Sequence, residues 1–217
     1  MAEVFVLVEH RQGKVRDITY EMLQAGETLA SQQGASSTAI LLGHNVKNFA
    51  EELAAKASKV LVVEDVQLEH FNSILYQKVL SSLIAKYQPL LTLIGHTAFG
   101  MDLAPSLSVE MGFPLVTDCI GLSFEESRLK AVRSIYGGKV NANVSLKESK
   151  GYMATVRPGI FSPKMPGEKK GSIVIEPSPL QGTIEAKKFI EYIEAPITGE
   201  DITQAEIIVS VGQGIGG

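Results

Sequence analysis

The chain has 217 residues, 45% of them hydrophobic, enough for one large α/β domain with a sizeable core. Lysine and arginine total 20 against 24 aspartates and glutamates, and the net charge of −4 argues against a general nucleic-acid binder. One cysteine, Cys119, rules out a disulfide within the chain, and no apolar run approaches the roughly 20 residues that span a bilayer.

The opening "MAEVFVLVEH" lacks the basic flank and long apolar stretch of a signal peptide, so a cytoplasmic protein is expected. Instead, "VFVLVE" (4–9) reads as a first strand buried on both faces, as in a parallel sheet covered by helices. Helical spacing follows from Thr19 to Gln33, with Met22, Leu23, Gly26 and Leu29 on one side. Strands are expected at 37–43, 59–65 and 89–96, separated by helices at 46–56 and around 70–87. A fourth helix over 100–112 ends at Gly112 and Pro114. This alternation predicts βαβ units and a parallel sheet flanked by helices.

From about 115 to 160 the helical period fades. Turn signals at Glu125–Arg128, Gly137–Gly138 and Lys150–Gly151 separate segments rich in Val, Ile, Tyr and Thr, which predicts an added antiparallel meander. "FSPKMPGEKKGS" (161–172) is a loop by composition, "TIEAKKFIEYIEA" (183–195) is read as a strand with a short helix as the alternative, and "PITGEDITQ" (196–204) as a linker. Ile207 to Val211 then reads as a buried strand running into glycines at 212, 214, 216 and 217.

The residues that could carry chemistry are few. No histidine has a His or Cys partner at metal-ligand spacing, and neither a nucleophile elbow nor a phosphate loop is present. His96 closes the fourth strand in "IGHTAFG", where ligands bind in open α/β sheets; a packed loop histidine reads the same way. Cys119 in "VTDCIG" shows no base or cation that would activate it and reads as a buried, inert thiol. Asp118 beside it suits a turn into the meander. A small hydrolase would need His96, Asp118 and Cys119 to converge. Arg133 and Arg157, two of only five arginines, suit either pairing with a carboxylate inside the fold or presenting a fork to a partner, the pairing being favoured. Gly212, Gly214 and Gly217 fit a dinucleotide-loop spacing, but that mechanism requires a following helix.

"FPLVTDCIGL" (113–122), "VRSIYGGKVNANV" (132–144) and "ATVRPGIF" (154–161), with the opening "VFVLVEHRQGKVRDITYEMLQAGETLA", resemble the α subunit of electron transfer flavoproteins. The likeness covers residues 3 to 195 and implies an N-terminal α/β domain over 1–195 with an adenine-nucleotide-hydrolase-like fold. "AEIIVSVGQGIGG" resembles the start of that subunit's FAD-binding domain, so residues 196–217 are expected to be a linker and the opening of that domain.

The resemblance implies FAD in the longer protein and none bound by this chain alone; of the flavin contacts, only Gly212, Gln213 and Gly214 fall within it. It implies a β subunit as partner, flavin dehydrogenases as donors, and a quinone reductase or another acceptor. Scaffold and subunit interface would be this chain's share, with no catalytic residue, no metal, no nucleic acid and no membrane insertion. The family commonly has Gly-Arg-Gly where this chain reads Gly212-Gln213-Gly214, and a basic residue where it has Met101. A stand-alone adenine-nucleotide-binding module is the alternative within the same fold.

Overall fold

Strand β1 (Glu3–Leu7) alternates its burial between two cores: Val4 and Val6 face one, Phe5 and Leu7 the other. The same division recurs in β4 (Ser36–Gly43), through Ala39 and Leu41 against Ile40 and Leu42, and in β5 (Lys59–Glu64), through Val60 and Val62 against Leu61 and Val63. A near-continuous apolar run is therefore required, because each face of a parallel sheet is covered by helices. In the computed structural model, residues 2–162, 170–182, 184, 187–193, 205–212 and 214 are described. They form two units, Met1–Lys187 and Lys188–Gly217.

After β1 a two-residue hairpin, β2 (His10–Arg11) with β3 (Lys14–Val15), leads into α1 (Asp17–Gln32). Helix α2 (Lys47–Ala54) joins β4 to β5, and α3 (Ser73–Tyr87) joins β5 to β6 (Leu91–Gly95). Asn72 starts α3 by accepting from the backbone N–H groups of Ile74 and Leu75. Helix α4 (Ala98–Met111) stops at Gly112, which takes the left-handed conformation (φ 65°) that suits glycine. Buried residues of α1 and α2 join the core of Val4 and Val6, and those of α3 and α4 join the core of Phe5 and Leu7. The helices change face because the chain first winds outward from β1 to β5 and then returns to the other side of β1.

The remaining strands are β7 (Leu115–Glu125), β8 (Arg128–Ile135), β9 (Val140–Ser145), β10 (Tyr152–Val156) and β11 (Ser172–Glu176). All but the hairpin share one nine-stranded sheet, in the order β11-β5-β4-β1-β6-β10-β7-β8-β9. Seven strands from β11 to β7 are parallel; β8 and β9 are antiparallel additions on β7. The sequence-based fold, a helix-flanked parallel sheet with an antiparallel addition, is the one observed.

Three local expectations are corrected. Residues 152–156 were expected in the antiparallel meander; β10 instead lies parallel between β6 and β7, with all five residues buried. Turn signals on both sides made a short core strand look like part of a hairpin series. Strand β11 follows immediately on the stretch read as a loop and lies parallel to β5. Within 183–195, residues 184 and 187–193 carry no strand.

Residues 163–169 of the loop and the whole linker 196–204 lie outside the described residues. In the second unit, residues 205–212 form no strand, and Ile207 and Val209 are 83% and 86% exposed. Period alone suggested burial, but an isolated apolar strand has no sheet to join.

Candidate functional site

In an open α/β sheet, ligands bind beyond the carboxyl ends of the strands where the order reverses, which here are β1 and β6. The link from β6 to α4 is as tight as backbone allows: a Cβ on Gly100 would collide with the Gly95 carbonyl oxygen. Thr97 caps α4, and its hydroxyl donates to Glu9 Oε2 at 2.7 Å. The chain's own carboxylate thus stands at the helix N-terminus, where a bound phosphate would otherwise be favoured. Burial raises the Glu9 pKa, against the lowering effects of the Thr97 hydrogen bond and the Arg16 charge. Phe99 stacks on Phe71 with ring centroids 4.0 Å apart, and Phe71 meets Tyr76 edge-on at 4.9 Å. The space remaining between these groups is about 10 Å³, room for at most one water molecule.

One strand further along, the three recognised segments meet. Asp118 sits in the left-handed region (φ 59°), a conformation aspartate tolerates better than most residues. Here β7 stops following β10 and begins to follow β8, with irregular register on both sides. Its backbone N–H donates to Thr155 Oγ1 at 2.9 Å. Its carboxylate accepts from Arg157 twice, from Nε at 2.8 Å and from Nη2 at 2.5 Å. The hydrogen bond from Arg157 holds the Asp118 pKa below the ordinary carboxylate value, outweighing desolvation. Arg157 Nη1 also reaches Ser134 Oγ of β8 at 3.4 Å. The arrangement is a carboxylate–guanidinium lock across β7, β10 and β8.

His96 joins this lock at its edge. Its Nδ1 lies 2.9 Å from Thr155 Oγ1, and its Nε2 is 3.9 Å from Asp118 Oδ1. Cys119 is fully buried, its thiol contacts the Val116 carbonyl oxygen at 3.7 Å, and burial pushes its pKa up to about 12. His96, Asp118 and Cys119 are thus neighbours, yet the thiol is held protonated and away from solvent, so the nucleophile of a hydrolase is missing. Arg133 lies opposite Cys119, and its Nε is buried without a hydrogen-bond partner.

A further site residue went unnoticed in the sequence. Glu21 of α1 is 7% exposed, and its carboxylate accepts from the backbone N–H groups of Gly159, Ile160 and Phe161 at 2.9–3.2 Å. Successive N–H groups converging on one point form an anion-binding nest, filled here from within the fold. The signal was available: a glutamate between Ile18 and Met22 on the buried face of α1 is a buried charge in need of partners. This contact accounts for the segment after Arg157 in "TVRPGIF" as a clasp on α1.

The antiparallel extension presents an open surface. Leu122, Phe124, Leu129, Ala131 and Val144 turn toward the core, leaving the alternate residues outside. Gly121, Ser123, Lys130, Val132, Asn143 and Ser145 line an open groove of about 540 Å³, with the Glu125–Lys130 ion pair at its end. Helix α1 pins the β7–β8 hairpin: Gln33 Nε2 donates to the Glu126 carbonyl, and Gln32 Oε1 accepts from Phe124 N–H.

Of the expected flavin contacts, Gln213 lies outside the described residues. Gly212 and Gly214 have nothing within 4 Å of where a Cβ would stand. Among the described residues, no three His, Cys, Asp or Glu side chains are grouped to hold a metal. No described helix is long and apolar enough to cross a membrane.

Comparison with known proteins agrees with this geometry. The family model described as electron transfer flavoprotein domain matches residues 4–180, which contain the whole sheet but Glu3, the Asp118–Arg157 lock and the Glu21 clasp. The electron transfer flavoprotein subunit alpha of Megasphaera elsdenii is 33% identical over 98% of this chain and 64% of its own length. That of Bacillus subtilis is 31% identical over 98% of this chain and 65% of its own length. The LctC subunit of a lactate dehydrogenase (NAD(+),ferredoxin) from Acetobacterium woodii is 31% identical over 98% of this chain and 51% of its length. The chain therefore spans less than two thirds of these relatives. Matched over most of its length, the chain belongs to the electron transfer flavoprotein domain family.

Proposed function

We propose that this chain is the N-terminal module of an electron transfer flavoprotein α-type subunit, acting as scaffold and docking face rather than as a redox centre or an enzyme. The observation that carries the reading is the paired use of internal side chains. The crevice at the strand-order reversal is lined by Glu9, Phe71 and Phe99, and Asp118 and Arg157 form a structural lock instead of a reactive site. What stays open is the outer face of β7–β9, lined by small and polar residues over a groove large enough to receive a partner's backbone.

In this reading the occupant is the β subunit, and the assembled protein is a cytoplasmic heterodimer. The redox group is FAD, held mainly by residues beyond this unit and approached at Gly212, Gln213 and Gly214. The flavin supplies electron transfer when bound. Flavin dehydrogenases, those of fatty acid β-oxidation among them, are the donors, and a quinone reductase or another acceptor receives the electrons. The relatives named as subunits of a dehydrogenase and of an acryloyl-CoA reductase support association with larger redox assemblies.

The test is a pair of titrations on the purified chain, one with FAD followed by flavin fluorescence and one with the cognate β subunit. Tight association with the β subunit and no saturable flavin quenching is the expected outcome. Saturable quenching by the chain alone would move the redox site into it, and lack of association would remove the docking role.

A further inference from the structure

The turn between β8 and β9 carries its bulk in an unusual place. Tyr136, Gly137 and Gly138 all have positive φ, at 53°, 65° and 87°. Glycine accepts that conformation freely, and asparagine or aspartate at small cost; a bulky aromatic residue there is an outlier. Tyr136 is nonetheless 78% exposed, and Val140 across the turn is 48% exposed, so no packing within the fold repays the strain.

The strained tip is held rigidly. Ile135 pairs with Val140, and Gly138 N–H donates to the Ile135 carbonyl at 3.2 Å. One rung below, Ser134 Oγ donates to Asn141 Oδ1 at 3.0 Å, and the same Ser134 oxygen lies 3.4 Å from Arg157 Nη1. The hairpin is thereby tied to the Asp118–Arg157 lock at its base, and it presents one aromatic ring at its end.

We infer that Tyr136 is an anchor residue for the partner subunit, inserting its ring into an apolar socket whose rim accepts a hydrogen bond from the phenol hydroxyl. The inference rests on the docking role proposed above for β7–β9, since the tip continues that open face. An exposed tyrosine on a preorganised hairpin suits this purpose: it adds a large contact area with only two side-chain torsions to fix. The strain has a compensating gain only in the assembly, which explains why glycine does not occupy the position.

The two roles that Tyr136 could have, turn former and anchor, respond oppositely to one substitution. Tyr136→Gly relieves the backbone, so the isolated chain should melt about 2–4 °C higher. Affinity for the cognate β subunit should fall about thirty-fold, the loss typical of an anchor residue. Tyr136→Phe should keep affinity within about three-fold, because the ring supplies most of the contact. Wild-type affinity in Tyr136→Gly overturns the anchor while leaving the docking role in place. Failure of the unsubstituted chain to bind the β subunit overturns both. A self-association lost in Tyr136→Gly with β-subunit binding unchanged, read by sedimentation, would assign the tip to a second copy of this chain and also overturn the inference.

Discussion

Arg157 holds Asp118 through two nitrogens, and that pair ties the parallel part of the sheet to its antiparallel extension. The linkage has a definite pH signature. The folded-state pKa of Asp118 lies below the ordinary carboxylate value, chiefly through the Arg157 hydrogen bond. The stabilisation it gives is therefore present above the unfolded-state value near 3.8 and is lost as pH falls through the folded-state value. Thermal melts of the unsubstituted chain and Asp118→Asn between pH 6 and pH 2 should converge toward the acid end. Arg157→Lys should melt below wild type at neutral pH, because a single ammonium does not reproduce the two-point contact.

Glu9 has the opposite sign. Its pKa is raised, mainly by burial, so at neutral pH the folded state bears the cost of a desolvated charge. That cost fades as pH falls through the raised folded-state value toward 4.5. Glu9→Gln keeps an acceptor for the Thr97 hydroxyl and should stabilise the chain at pH 7 by on the order of 1 kcal/mol, less at pH 4. An unchanged or lower melting temperature at pH 7 would contradict this.

The Glu21 clasp satisfies three backbone N–H groups at once. Glu21→Ala should cost roughly 3–4 kcal/mol in urea unfolding, since it strips charge-assisted acceptors from a buried nest. Glu21→Gln, which retains one acceptor oxygen, should cost roughly half as much. Equal losses in the two variants would show that packing rather than hydrogen bonding dominates there.

Cys119 should ignore iodoacetamide at pH 8 while the chain is folded, because its thiol is fully buried and its pKa is pushed up to about 12. Mass spectrometry should find one alkylated site only after unfolding. Stoichiometric labelling of the native chain would reopen the question of thiol chemistry at this strand end.

Much of this is legible in the sequence. Strands β1, β4, β5 and β6 and their helices announce themselves because continuous apolar runs and 3.6-residue periods differ sharply. The Asp118, Arg133 and Arg157 segments stood out as motifs, and pairing of Arg157 with an internal carboxylate was the expectation that the lock satisfies. Partners were the illegible part: nothing local links Glu21 to residues 159–161, or Glu9 to Thr97, across 88 or more positions of chain. Strand β10 was misread because five buried residues bounded by turn signals have no period to recognise, and β11 was missed because a five-residue strand with mostly exposed side chains shows no buried face. Ile207 to Val211 failed for the converse reason, since a strand pattern states a need for a sheet without supplying one.

The placement of β10 also bears on how the chain reaches its native state. During synthesis β6 and β7 emerge early, yet they never touch; the slot between them stays vacant until residues 152–156 leave the ribosome. Until then two apolar strand edges remain uncapped, one on each side of the gap, and β8 and β9 can stabilise only the outer of the two fragments. Nascent chains that still hold residues 152–156 inside the ribosome should accordingly be protease-sensitive and inclined to aggregate, and those long enough to release them should become resistant abruptly. The strand that completes the middle of the sheet is thus the natural checkpoint of its biogenesis.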